Sequence, residues 1–155
     1  VRQYQKHIRE KAIAAVISHE ISLLQAYNTR QSSKQLRYFN SSETRESFAK
    51  VMVHATLTDQ DYSVSEISKL LGVSRVAVIQ MVDDTEAEGW IITRPGARKT
   101  RLCRGNQILL DMAEDWFDMY RKTAEETGYL AALRLLDNLE KVIDVEENSS
   151  RSNSL

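Results

Sequence analysis

The sequence predicts a mainly α-helical fold with one small β-hairpin, and three observations predict it. One proline and five glycines in 155 residues leave long stretches without helix breakers. Apolar residues recur at three- and four-residue steps over most of the chain. Residues 90–104 alone change character: "WIITR" is β-branched, "PGARK" has the composition of a turn, and "TRLCR" reads as a returning strand. At 42% apolar and 28% charged residues the composition is that of a folded globular protein. The length suits one domain with a real core, or a small domain with helices that join two copies.

The first helix runs from Arg2 to about Gln31, with Ile13, Val16, Ile17, Ile21, Leu24 and Tyr27 along one stripe. At about 1.5 Å per residue it spans roughly 45 Å, longer than a small domain is wide, so part of it packs beyond its own globule. Residues 32–42 read as a connection or a short irregular helix. Ser42 then begins a helix to about Thr58, with Phe48, Val51, Met52 and Ala55 on one face.

Local chemistry is most explicit in "SVSEISKLLGVSR", residues 63–75. Ser63 followed by Glu66 is a capping box, in which side chain and backbone satisfy each other across the first turn. Gly72 ends the short helix by tolerating a left-handed backbone, and Ser74 caps the next. Two helices joined by so short a turn cross steeply, as in a helix-turn-helix. The second runs from Arg75 to about Glu88, with Val78, Met81 and Val82 inward, and Gly89 closes it.

In the hairpin that follows, Leu102 is expected to face the core with Thr100 and Arg104 on its side, while Arg101 and Cys103 face away. Asn106 can cap a helix from Gln107 to about Thr127. Gly128 breaks it, and a last helix runs from about Tyr129 to Ile143. The polar "EENSSRSNSL" reads as a disordered tail. The predicted division is therefore 1–41, an N-terminal dimerisation helix and connection; 42–105, a winged helix-turn-helix; 106–143, C-terminal dimerisation helices; and 144–155, the tail.

Charge is nearly balanced overall, with 21 basic and 22 acidic residues, but it is unevenly placed. The stretch "RPGARKTRLCR", residues 94–104, holds Arg94, Arg98, Lys99, Arg101 and Arg104 and no acid. The last third is acidic. A local patch of this kind binds phosphate even where net charge does not attract nucleic acid.

Helix, helix-turn-helix and basic hairpin in that order make a winged helix-turn-helix. Together with the long flanking helices, the chain resembles the multiple-antibiotic-resistance regulator (MarR) family of bacterial transcription regulators. The resemblance is carried by "SEISKLLGVSRVAVIQMVDDTEAEGWI", where Leu71-Gly72-Val73-Ser74-Arg75, Val78, Val82-Asp83, Glu86 and Gly89-Trp90-Ile91 match the family's positions. Gly96 stands where the family has an aspartate before its wing-tip arginine, which is Arg98 here, and Thr85 stands where leucine is usual.

The resemblance implies a homodimer that binds double-stranded DNA and regulates transcription, as a repressor. The second helix of the motif enters the major groove with its N-terminal residues toward base edges. Ser74, Arg75, Val76, Ala77, Ile79 and Gln80 are the candidates there. Arg75 suits a guanine edge and Gln80 an adenine edge, while Val76, Ala77 and Ile79 touch thymine methyls or fill space. Arg94, Arg98, Lys99 and Arg101 are the wing's candidates for backbone or minor groove, with Arg104 the weakest of the basic five. Tyr38, Phe39, Trp116, Phe117 and Tyr120 either line a pocket for a small aromatic effector, as the resemblance implies, or are core and interface. Alternatives for the whole chain are a winged-helix module for protein-protein assembly and an architectural protein with little sequence preference.

No enzyme is expected. His7, His19 and His54 are scattered and show no metal-ligand spacing, and no nucleophile turn or phosphate-cradling glycine loop occurs. No cofactor is expected either. Cys103, the only cysteine, is read as a reduced thiol, with a redox role beside Arg101 as the minor alternative. No apolar run approaches the roughly 20 residues that cross a bilayer, and a cytoplasmic protein with no membrane partner is expected.

Overall fold

The computed structural model describes residues 2–152. Seven α-helices and three short strands follow in chain order among them: α1 Arg2–Thr29, α2 Lys34–Phe39, α3 Glu43–Leu57, β1 Tyr62–Ser63, α4 Val64–Leu71, α5 Arg75–Ala87, β2 Ile91–Pro95, β3 Arg101–Gly105, α6 Gln107–Glu126 and α7 Tyr129–Ser152. They form two compact units, Arg30–Phe117 and Val1–Thr29 with Asp118–Leu155, and α6 passes from one into the other.

The central unit is built around one apolar core. Phe48 and Met52 of α3, Ile67 of α4, Val78 and Val82 of α5, Cys103 of β3 and Leu109 of α6 are fully buried in it. Phe39 of α2 joins them, and residues 30–41, expected to belong with the N-terminal helix, fall within this unit. The helix starts follow their caps. Ser33, Ser42, Ser63 and Ser74 each accept a hydrogen bond from the backbone amide three residues on, and at Ser63 the capping box is complete. Gly72 ends α4 at φ 65°, and Ser68 Oγ donates to the Val73 carbonyl at 2.6 Å, fixing the turn between the two helices of the motif.

The sheet is antiparallel in the order β1-β3-β2. Cys103 stands opposite both Tyr62 and Thr93, and Ile91 opposite Gly105. The expected facing of β3 is reversed: Cys103 and Gly105 are buried, whereas Leu102 is half-buried on the other side. Close packing of α3 on this strand is the physical reason. A Cβ on Gly105 would stand 2.9 Å from Leu109 Cδ2 and 3.3 Å from the Met52 carbonyl oxygen, so even the smallest side chain is crowded there. A one-residue shift of facing turns over every side chain of a strand, and the arginines of β3 move with it.

In the other unit α1 packs on α7. Ile8, Ala12 and Leu23 are buried on α1, and His19 is enclosed between Tyr120, edge-on at 4.6 Å, and Tyr129, stacked at 4.6 Å. Burial pushes the Tyr120 phenol pKa up, helped by its hydrogen bond with Tyr129. Along the stripe of α1 that the sequence reads as packing beyond its own globule, Ile13, Ile17, Ile21 and Leu24 are more than half exposed. On α7, Leu135, Val142 and Val145 are exposed as well. The expected disorder of residues 144–155 is corrected over the described part, because α7 continues to Ser152. Once nucleated a helix extends cheaply, and no proline or glycine interrupts "EENSSRSNSL". Ser150 and Ser152 hydroxyls also donate to the carbonyls of Glu146 and Asn148, both at 2.9 Å. Residues 153–155 lie outside the described residues.

Candidate nucleic-acid interface

Three elements of the central unit bear the predicted site: the first turns of α5, the tip of the wing and its stem. On α5, Ser74 accepts from the Ala77 amide at 3.2 Å, and Val78, Met81 and Val82 hold the helix to the core. Arg75, Val76, Ile79 and Gln80 are exposed, and Ala77 is half-buried. Val76 is 76% exposed and Ile79 41%. Gln80 is already engaged, its Nε2 donating to Asp84 Oδ1 at 2.9 Å. The other oxygen of Asp84 accepts from the Tyr38 hydroxyl at 3.0 Å. Burial, then this bond to a carboxylate, pushes the Tyr38 phenol up to about 12. Arg75 has neither an ion pair nor a side-chain hydrogen bond among the described residues.

The wing tip is a tight turn of unusual backbone. Gly96 N donates to the Thr100 carbonyl at 2.7 Å, and Thr100 returns two bonds to the Ala97 carbonyl, from its amide at 3.2 Å and its hydroxyl at 2.7 Å. Arg98 and Lys99 sit in the left-handed region at φ 54° and 59°, where residues with a Cβ are uncommon. A Cβ on Gly96 would come within 2.6 Å of Thr100 Oγ1, which accounts for glycine where the family pattern has aspartate. The side chains of Arg98 and Lys99 are exposed and, among the described residues, unpaired.

The stem is different. Arg101 bridges Asp83 Oδ1 and Glu86 Oε2 of α5, each at 2.6 Å, and the hydrogen bond to Asp83 leads in raising its pKa. Arg104 donates from Nε to Asp61 Oδ1 at 2.6 Å and pairs through Nη1 with Asp59 at 3.0 Å. Arg94 forms an ion pair with the second oxygen of Asp61, without the direction of a good hydrogen bond. The Asp61 side chain is only 5% exposed. Its hydrogen bond from Arg104, with help from Arg94, holds the carboxyl below its usual 3.8 despite burial. Arg94, Arg101 and Arg104, read from the sequence as a basic surface, thus have acidic partners within the unit. The pairing of Asp61, Asp83 and Glu86 with these arginines is what sequence reasoning missed, since the partners lie 15 to 43 positions away.

Burial pushes the Cys103 thiol up to about 11, outweighing the lowering by Arg101. The thiolate is therefore disfavoured, and the redox alternative loses its chemical basis. Of the aromatic candidates, Phe39 is 2% exposed in the core, and Tyr38 packs on Phe39 at 5.2 Å and on Trp90 at 5.7 Å with Arg45 over its ring at 4.3 Å. Trp116 lies 5.7 Å from the Lys50 ammonium, and Tyr120 packs on His19 in the other unit.

Solved structures share this architecture. A transcriptional regulator of Thermotoga maritima, Tm0710, superposes with a TM-score of 0.52 at 17% identity, covering 97% of this chain and 99% of its own. MepR, a transcription regulator of the Staphylococcus aureus multidrug efflux pump MepA, gives 0.57 at 13% identity, covering 84% and 93%. The fold is that of the MarR regulators. Neither a protein-family model nor a curated protein sequence matches the chain. Among the described residues no helix is long and apolar enough to cross a membrane, and no group of metal-ligating side chains comes together.

Proposed function

We propose that the chain is a sequence-specific DNA-binding transcription regulator of the MarR type. It acts in the cytoplasm as a homodimer and represses by occupying its operator. One observation carries this reading: on a winged-helix unit, the first turn of α5 and the wing tip keep exposed cations, Arg75, Arg98 and Lys99, free of internal partners. In this fold those are the places that meet the major groove and the neighbouring backbone or minor groove. Ser74, at the cap, is placed for a phosphate contact. Arg94, two-thirds exposed and held by an ion pair alone, is the stem residue that can exchange its carboxylate for a phosphate.

Dimerisation is supported by the terminal helices. Ile13, Ile17, Ile21 and Leu24 on α1 and Leu135, Val142 and Val145 on α7 leave apolar faces open, as expected where a second copy covers them.

Selection of bound duplexes from random DNA tests the proposal. The expected result is a palindromic consensus with half-sites about one helical turn, roughly 34 Å, apart. With three unpaired cations per protomer, about six in a dimer, log affinity should fall with log salt at a slope near −5. That is about a 10³-fold loss between 50 and 200 mM. Equal affinity for random and selected duplexes would favour an architectural role, and absence of salt-dependent binding would leave protein assembly.

A further inference from the structure

We propose, resting on the DNA-binding reading, that α5 reads its operator chiefly through thymine methyl groups, with Val76 and Ile79 as the specificity-determining residues and Arg75 as the one hydrogen-bonding reader. Polar side chains on the outward face of α5 are nearly all committed elsewhere. Gln80 is bound to Asp84, and Asp83 and Glu86 to Arg101. What remains at the leading end is Arg75, beside Val76 and Ile79, which are exposed and anchor nothing in the core.

Charge sets how the helix approaches. Asp83, Asp84, Glu86 and Glu88 lie in the second half of α5 and at its end, where they repel phosphate, so only the first two turns can go deep. Those turns carry the apolar pair. The exposed cations Arg75, Arg98 and Lys99 in the same unit complement a polyanion, which argues for DNA rather than an apolar protein partner on this face. In the major groove the only apolar group on a base edge is the thymine C5-methyl, and it is the group that valine and isoleucine can match.

The test uses the full-length protein and the duplex obtained by selection. Each thymine is replaced in turn by deoxyuridine, which removes the methyl and keeps every hydrogen-bonding group. One or two positions per half-site should each lose about four-fold in affinity, the equivalent of about 0.8 kcal/mol at 1.4 kcal/mol per tenfold. Val76→Ala combined with Ile79→Ala should bind the thymine duplex more weakly and respond to deoxyuridine by less than two-fold. Both residues are exposed, so the variant folds, and an unchanged melting temperature verifies it. Specific binding with no deoxyuridine effect, or with the same effect in the double variant, overturns methyl reading and leaves the DNA-binding function standing. Failure to bind any duplex at low salt takes down both. Binding of a protein partner lost in the double variant, with duplex affinity unchanged, also overturns it.

Discussion

The stem and tip of the wing carry the same kind of side chain and use it in opposite ways. In the stem, Arg94 and Arg104 converge on one nearly buried carboxylate, Asp61, and Arg101 ties β3 to the acidic side of α5. At the tip, Arg98 and Lys99 stand on left-handed backbone with solvent as their only partner among the described residues. Five basic residues in eleven positions are therefore not five free cations. The number available for phosphate is set by which acids the fold brings near, and those come from α5 and the segment before β1.

The sharpest way to break this distinction is substitution on each side of it. Arg98→Ala with Lys99→Ala should lower operator affinity about 10- to 100-fold, on the scale of about 1–3 kcal/mol for losing well-placed base or phosphate contacts. It should leave thermal stability within about 0.5 kcal/mol. Arg101→Ala should do the reverse, moving the melting temperature more than the affinity. Titration of labelled duplex and differential scanning calorimetry on the same samples decide it, and an equal loss of affinity for both would erase the stem-tip difference.

A smaller effect is expected from Asp61→Asn, which keeps the shape and removes the charge. Stability should fall by about 1–3 kcal/mol at neutral pH, since two arginines lose a charge-assisted partner. The folded-state pKa of Asp61 is depressed, so its contribution is present above the usual 3.8 and is lost as pH falls through the lower folded value. The difference between wild type and variant should therefore close below about pH 4, measured by denaturant titration at stepped pH. A constant difference down to pH 2 would mean that the Asp61 pairs do not stabilise the stem.

Weakest is the effect at Cys103, behind the stem. Its thiol is raised from 9.0 to about 11 by burial, so the unfolded chain ionises first and stability should begin to decline as pH rises above 9. Native protein at pH 8 should react with a thiol reagent only as fast as it opens, and fully in denaturant. Immediate native labelling would place Cys103 outside the core.

Much of the fold was legible because its signals are local. Ser63 with Glu66, Gly72 and Ser74 declare the helix-turn-helix within a dozen positions, and the structure realises each cap. β1 was not legible, since two residues have no periodicity, and without it the facing of β3 was misread. Size alone suggested Leu102 for the core; the closeness of α3 decided for Cys103 and Gly105. In the site, Arg75, Arg98 and Lys99 stood out by type and position. The pairing of Arg94, Arg101 and Arg104 depended on residues far along the chain, which spacing does not reveal. The end of α7 was misjudged from composition, because polar residues without breakers extend a helix already begun.

The division of labour on α5 also bears on how such a protein can change. Val78, Met81 and Val82 hold the helix, while Val76 and Ile79 hold nothing inside the unit. If α5 reads thymine methyls as proposed, substitutions at the two outward positions would redirect the protein to a new operator at almost no expense in folding stability. A lineage with this arrangement would then drift in specificity two side chains at a time while its core, caps and wing stem stay fixed.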